Sequence, residues 1–278
     1  LTNGRVMLGI GRGHPWLYER LGFDQSTSRE RFAEFCAMTA AILDEPAARH
    51  NFCGEFWDTQ DFELLPGFVN GRPEVYIAQV GGVATADLAV KHRFGMLYPS
   101  YLGVPLEKVI EVETYFQAYH HRQWGQAGNS LLGVQVYAAA DEEAAISIGA
   151  RALSRQLMVF ARNMTTLADQ IGDQYPAYGP LAEFFTQMSD QNVCRETVLQ
   201  EWPRYLAVWG TADQCLAKFA ELFNHLRPHG LILNIDAGDL EPAEIEEAMR
   251  YVGENVLPGL REMLEPVGGQ QVSREEET

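Results

Sequence analysis

Apolar and polar residues change rhythm along this chain, and each change marks an element. VMLGI (6–10) is a short apolar run that predicts a buried strand. From 27 to 43, Phe32, Phe35, Cys36, Thr39, Ile42 and Leu43 recur at helical spacing. Thr27 with Glu30 is a candidate capping box at the start of that helix. FCGEFWDTQDFELLP (52–66) alternates instead and predicts a hairpin or excursion. EVYIAQV (74–80) is nearly continuous in apolar residues, the pattern of a parallel strand covered on both faces. GMLYPS (95–100) and SLLGVQVYAAA (130–140) predict two more strands. Helices are expected from about Thr85 to Arg93, from Pro105 to Trp124 and over DEEAAISIGARALSRQLMVFA (141–161).

Residues 163–200 break the rhythm with Gly, Pro, Asn, Tyr and Gln around helical fragments. TADQCLAKFAELFNHL (211–226), GLILNID (230–236) and EPAEIEEAMRYVGENVLPGL (241–260) restore it as helix, strand and helix. The polar tail GGQQVSREEET is expected to be disordered. Strands alternating with helices mean an α/β protein with a parallel sheet. Five strands can be counted. They suit an open doubly wound sheet, or a (β/α)8 TIM-type barrel if three units precede Leu1. In both folds the carboxyl ends of the strands carry function.

Composition narrows the classes. The chain has 278 residues, a hydrophobic fraction of 46% and a formal charge of −17. Such acidity, with no Lys/Arg-rich run, argues against nucleic-acid binding. No apolar run reaches membrane-spanning length. Cys36, Cys53, Cys194 and Cys215 are scattered without a paired motif, as expected of reduced thiols in a cytoplasmic protein. No metal motif is visible, and His120 and His121, adjacent on a predicted helix, point to different faces.

Candidate chemistry sits at two strand ends. Arg12 lies between Gly11 and Gly13, directly after the first strand. It either leans over the strand end to meet an anion or faces solvent from a tight turn. Arg29 occupies the first turn of the next helix, where a cation does nothing for the helix dipole. Gln79, Val80, Gly81, Gly82 and Thr85, in QVGGVAT, lead from a strand into a helix and offer backbone N–H groups and a hydroxyl. Together they suit a phosphate. The alternative pairs Arg29 with Glu30 or Asp24 and makes Gly81–Gly82 a plain turn.

NGRVMLGIGRGHPWLYERLGFD, SRERF, GEFWDTQDFELLP, PEVYIAQ and LAVKHRFGML follow one another in this order. In that order the chain resembles the bacterial luciferase-like flavin monooxygenase family; GTADQC, LILNI and VLPGLRE extend the likeness. The resemblance implies a (β/α)8 barrel whose fourth strand matches VMLGIGRG, so that about the last five β/α units are present. Residues 1–265 would form this incomplete barrel, inactive by itself, and 266–278 the disordered tail. It implies reduced FMN supplied by a flavin reductase, dioxygen and a small-molecule organic substrate. Arg12, Arg29 and the stretch from Gln79 to Thr85, including Val80, Gly81 and Gly82, would hold the flavin phosphate. A homodimer is implied, packed through helices that include 27–43. Gly11 stands where luciferases have a reactive cysteine, and their active-site histidine lies upstream, which leaves His14 as the candidate catalytic residue. Trp16, Tyr18 and Tyr98 are candidate pocket walls, and 163–200 a candidate lid carrying Tyr175, Tyr178, Phe184 and Phe185. A deazaflavin-dependent oxidoreductase on the same barrel, or a non-catalytic partner subunit, are the alternatives.

Overall fold

A computed structural model describes residues 4–69, 71–79, 82–99, 104–171, 186–235, 238 and 240–264. Its strands are β1 (Met7–Ile10), β2 (His50–Cys53), β3 (Asp58–Phe62), β4 (Glu74–Ala78), β5 (Gly95–Tyr98), β6 (Ser130–Ala138), β7 (Ala207–Gly210) and β8 (Gly230–Asn234). The helices are α1 (Pro15–Arg20), α2 (Ser28–Asp44), α3 (Val83–His92), α4 (Leu106–Trp124), α5 (Glu142–Ile171), α6 (Gln191–Glu201), α7 (Ala212–His225), α8 (Pro242–Asn255) and α9 (Leu257–Leu264).

One curled parallel sheet runs β1-β4-β5-β6, and both β7 and β8 pair with β6. It is an incomplete barrel of the (β/α)8 type. β8 pairs along Leu131–Gln135 and β7 along Gln135–Ala138. Every residue of β6 is buried. Successive side chains on a strand point to opposite faces, and here they serve two cores. Leu132, Val134, Val136 and Ala138 join the larger core, with α2, α3, α4, α7, α8 and α9; Tyr137 joins a smaller one built on α5, α6 and β7. At the ends of the sheet Met7 of β1 is 58% exposed and Ile232 of β8 is 45% exposed, as an open barrel requires.

The sheet holds six described strands, one more than the sequence pattern suggested. AVWG is only four residues long and abuts the Thr211 cap of α7, so its apolar run merges with the turn. The described parts of 163–200 are also more regular than expected. α5 continues to Ile171, and α6 starts at Asp190, whose carboxylate accepts from Asn192 N and Val193 N. The expected box at Thr27 does not form: the Thr27 hydroxyl donates to Asp24 O, and Asp24 caps the turn before it. Thr211–Gln214 and Glu241–Glu244 are the capping boxes seen. The tail from 266 lies outside the described residues.

β2 and β3 form the predicted hairpin, docked on α2 by one carboxylate. Glu34 accepts hydrogen bonds from the backbone N–H groups of Glu55, Phe56 and Trp57 at 3.0, 2.9 and 2.7 Å. The fit is close, since a Cβ on Gly54 would lie 1.9 Å from Glu34 Oε1. Trp57 Nε1 donates to Arg31 O, and its ring meets Phe35 at 5.4 Å. The hairpin therefore covers apolar surface on α2 that was considered for a subunit interface, and Phe32 packs in the core.

Glu113 of α4 is the buried counterpart. Only 6% exposed, it accepts from Tyr98 Oη, Gln117 Nε2 and Ser130 Oγ at 2.8–2.9 Å. These bonds tie α4 to β5 and β6. Glu113→Ala leaves two buried hydroxyls without their acceptor and should lower unfolding free energy by about 2–4 kcal/mol, measured by urea denaturation. Glu34 is different: the three N–H groups hold its carboxyl below the usual range against an opposing desolvation. A depressed folded pKa gives stability that is present at neutral pH and is lost as pH falls through the folded value. Glu34→Gln should open the hairpin to limited proteolysis and flatten that acid limb; unchanged cleavage would show that the carboxylate is dispensable.

Candidate functional site

The carboxyl ends of β1, β4 and β5 meet at a cavity of about 820 Å³. Arg12, His14, Arg29, Gln79, Gly82 and Thr85 all line it. Three elements bring them together: the turn after β1, the first turn of α2 and the β4–α3 connection. Val80 and Gly81 lie outside the described residues, so the middle of that connection has no geometry to report.

The glycines around Arg12 are not equivalent. Gly13 has φ +81°, a left-handed conformation that strongly favours glycine. A Cβ on Gly11 would only touch Ala78 Cβ at 3.5 Å, an ordinary contact. The turn thus needs Gly13, and Gly11 is permissive. Tyr18 reaches back from α1 and its hydroxyl donates to Arg12 O, which braces the turn. Among the described residues neither Arg12 nor Arg29 is in an ion pair, and both are exposed. The Asp24 carboxylate is engaged by Ser26 N and Ser26 Oγ.

Gln79 is 3% exposed, and its Nε2 donates to Gly82 O at 3.1 Å while its backbone N donates to Leu97 O at 2.9 Å. Those two bonds fix the start of α3 against the sheet. Gly82 caps α3 without a side-chain hydrogen bond, so no capping side chain competes for the first N–H groups of the helix. Such a helix start favours negative charge.

His14 is partly buried, and burial lowers its pKa below the ordinary histidine value. Phe160 of α5 meets its ring edge-on at 5.3 Å. Arg20 Nη2 of α1 also donates to Asn163 Oδ1 at 3.3 Å, a second link from the segment after β1 to α5. The long helix therefore borders the site, although sequence periodicity carried no sign of it. Glu30, Leu88 and Pro99 complete walls the sequence had not marked. Tyr98 does not line the cavity. It shares the face of β5 that carries Met96, and its hydroxyl turns to Glu113. The side chain of Trp16 is outside the described set, as are Tyr175, Tyr178, Phe184 and Phe185 of the expected lid.

Among the described residues no group of three His, Cys, Asp or Glu could hold a metal ion, and no helix is long and apolar enough to cross a membrane.

No curated protein sequence matches the chain significantly. Solved structures share its fold at low identity. Monooxygenase RslO1 from Streptomyces bottropensis is 18% identical with a TM-score of 0.69, over 93% of this chain and 70% of that one. The coenzyme F420 dependent tetrahydromethanopterin reductase from Methanopyrus kandleri is 14% identical with a TM-score of 0.58, over 92% and 75%. The oxygenating constituent of 3,6-diketocamphane monooxygenase from Pseudomonas putida was solved in complex with FMN. It is 18% identical with a TM-score of 0.58, over 92% and 71%. The luciferase-like monooxygenase family model matches residues 1–228, most of the sheet and the whole cavity wall described above. The chain belongs to the luciferase-like monooxygenase family.

Proposed function

We propose that this protein is a flavin-dependent monooxygenase that oxidises a small organic substrate with reduced FMN and dioxygen, the FMN being reduced by a separate flavin reductase. The observation that carries the reading is the convergence of Arg12, Arg29 and the start of α3 on one cavity. The donor set fits a phosphate. It offers two guanidinium groups outside any described ion pair, an uncapped helix start and the Thr85 hydroxyl. Glu30 is the opposing charge on the same wall. In this reading further β/α units cover the exposed faces of β1 and β8.

Each residue has a task. Arg12 and Arg29 bind the phosphate through charge-assisted hydrogen bonds, and Tyr18 keeps the Arg12 turn in place. Gln79 orients the helix start. Bound reduced flavin would supply the electrons for activating dioxygen. His14, kept neutral by burial, can accept a proton at a ring nitrogen beside the reacting region. Phe160 screens it from water on the α5 side, which favours productive turnover over solvent side reactions. A second reading, hydride transfer with a deazaflavin, has support in the match to the F420 dependent reductase. The cavity recognises phosphate in either case.

Anaerobic titration with reduced FMN and with a reduced deazaflavin, followed by absorbance on adding oxygen and candidate substrates, separates the two readings. Binding of neither would leave a non-catalytic subunit. Arg12→Ala should weaken flavin binding by about ten- to a hundredfold, or roughly 1.5–3 kcal/mol, with a smaller loss for free riboflavin, which has no phosphate. Equal loss for both would remove Arg12 from phosphate recognition. For His14 the sign is set by its depressed pKa: as pH falls below the ordinary value, the unfolded chain takes up the proton first. Stability should therefore decline on the acid side of about pH 6.5, and His14→Asn should reduce that decline in melts across the range.

A further inference from the structure

The opposite end of the sheet holds a second cavity, of about 520 Å³, at the amino ends of β4, β5 and β6. Arg93, Trp124, His120, Arg72 and Glu74 are among its walls. In barrels of this type the amino-end face ordinarily serves stability. Arg93 departs from that expectation. It follows α3 as the C-cap with φ 55° and ψ 39°, the left-handed conformation where glycine is the favoured residue. Backbone stability alone would favour glycine here, so the side chain is the reason to look further.

That side chain lies over an aromatic ring. The Arg93 guanidinium carbon sits 3.9 Å from the Trp124 ring centroid, and Trp124 is itself fixed by Nε1 donating to Val90 O at 2.8 Å. The ring face holds the cation in place without using its N–H donors, which suit a planar or tetrahedral oxyanion. Among the described residues Arg93 is in no ion pair. The neighbouring charges are already engaged. Arg72 pairs with Asp44 and donates to His92 O. Glu74 accepts from Tyr76 Oη and Asn129 Nδ2 and faces His229 at 3.8 Å. His120 is 6% exposed and uses Nδ1 on Gln126 O, so its Nε2 is the ring nitrogen left for the cavity.

We propose that this amino-end cavity is a second ligand site, distinct from the strand-end cavity, which takes a small oxyanion such as a carboxylate or phosphate on the Arg93 guanidinium with His120 beside it. Carboxylates fit best, because the guanidinium edge matches their two oxygens. The site does not depend on the flavin reading, since it shares no wall with the other cavity.

The test uses the whole chain and measures Trp fluorescence and melting temperature against acetate, benzoate and inorganic phosphate, with chloride at matched ionic strength as the blank. Saturable quenching that disappears in Trp124→Phe places the ligand on the stack. Arg93→Gly removes the cation while suiting the left-handed backbone, so the variant should remain folded. It should weaken apparent affinity at least tenfold, and Arg93→Lys should restore phosphate binding better than carboxylate binding, since it keeps charge without the fork. Arg12→Ala should leave the signal unchanged. The proposal is overturned if Arg93→Gly binds as the parent does, if chloride reproduces the signal, or if Arg12→Ala abolishes it. Carboxylate and phosphate are then told apart by their relative affinities in the parent chain.

Discussion

Strand β6 is the seam on which the molecule depends. It pairs with β5 along one edge and with β8 and β7 in succession along the other. All nine of its positions are buried, so its backbone and both its faces are committed at once. The alternation of side chains then divides the packing: Val134 and Val136 face the larger core, and Tyr137 the smaller one built on α5 and α6. A polar substitution on β6 would be felt in one core or the other, never at the surface.

The two ends of the sheet are held by unlike means. At the carboxyl ends, short turns leave polar groups facing a cavity: two arginines, an uncapped helix start and a half-buried histidine. At the amino ends and around α4, polar groups are mostly consumed by one another. Glu113 takes three donors, Glu74 two, and Arg72 is paired with Asp44. In a chain with a formal charge of −17, cations outside ion pairs stand out. Arg12, Arg29 and Arg93 are three, and each borders a cavity.

Much of the architecture was legible from local patterns. Continuous apolar runs such as VYIA and LLGVQVYA identified strands because a strand covered on both faces has no polar side to interrupt it. Arg12 and QVGGVAT stood out because glycine and arginine at strand ends have few structural reasons to be there. Other features were invisible for equally physical reasons. AVWG is too short to show a period. The Glu34 cradle consists of backbone donors 21–23 residues away, which side-chain spacing cannot reveal. Whether Tyr98 faces the cavity or the packing was not legible, because its face on β5 depends on register, and a shift of one residue exchanges the two faces. Phe160 reaches the site only through the packing of α5 on α1, a tertiary contact without a local signature.

The fork on β6 also has a topological meaning. The chain leaves β6 after Ala138 and returns at Ala207 of β7, which lies beside Gln135, three positions back along β6. Ala139 N donates to Gly210 O at 3.2 Å, which joins the exits of the two parallel strands at the carboxyl end of the sheet. The connection from Ala138 to Ala207, which includes α5 and α6, is a crossover between parallel strands. Lengthening or shortening such a connection costs the scaffold little, because loop-closure entropy grows only slowly with length. The β5–β6–β8 ladder keeps its register whatever the length of that connection. The length of the connection and the register of the sheet are therefore set separately.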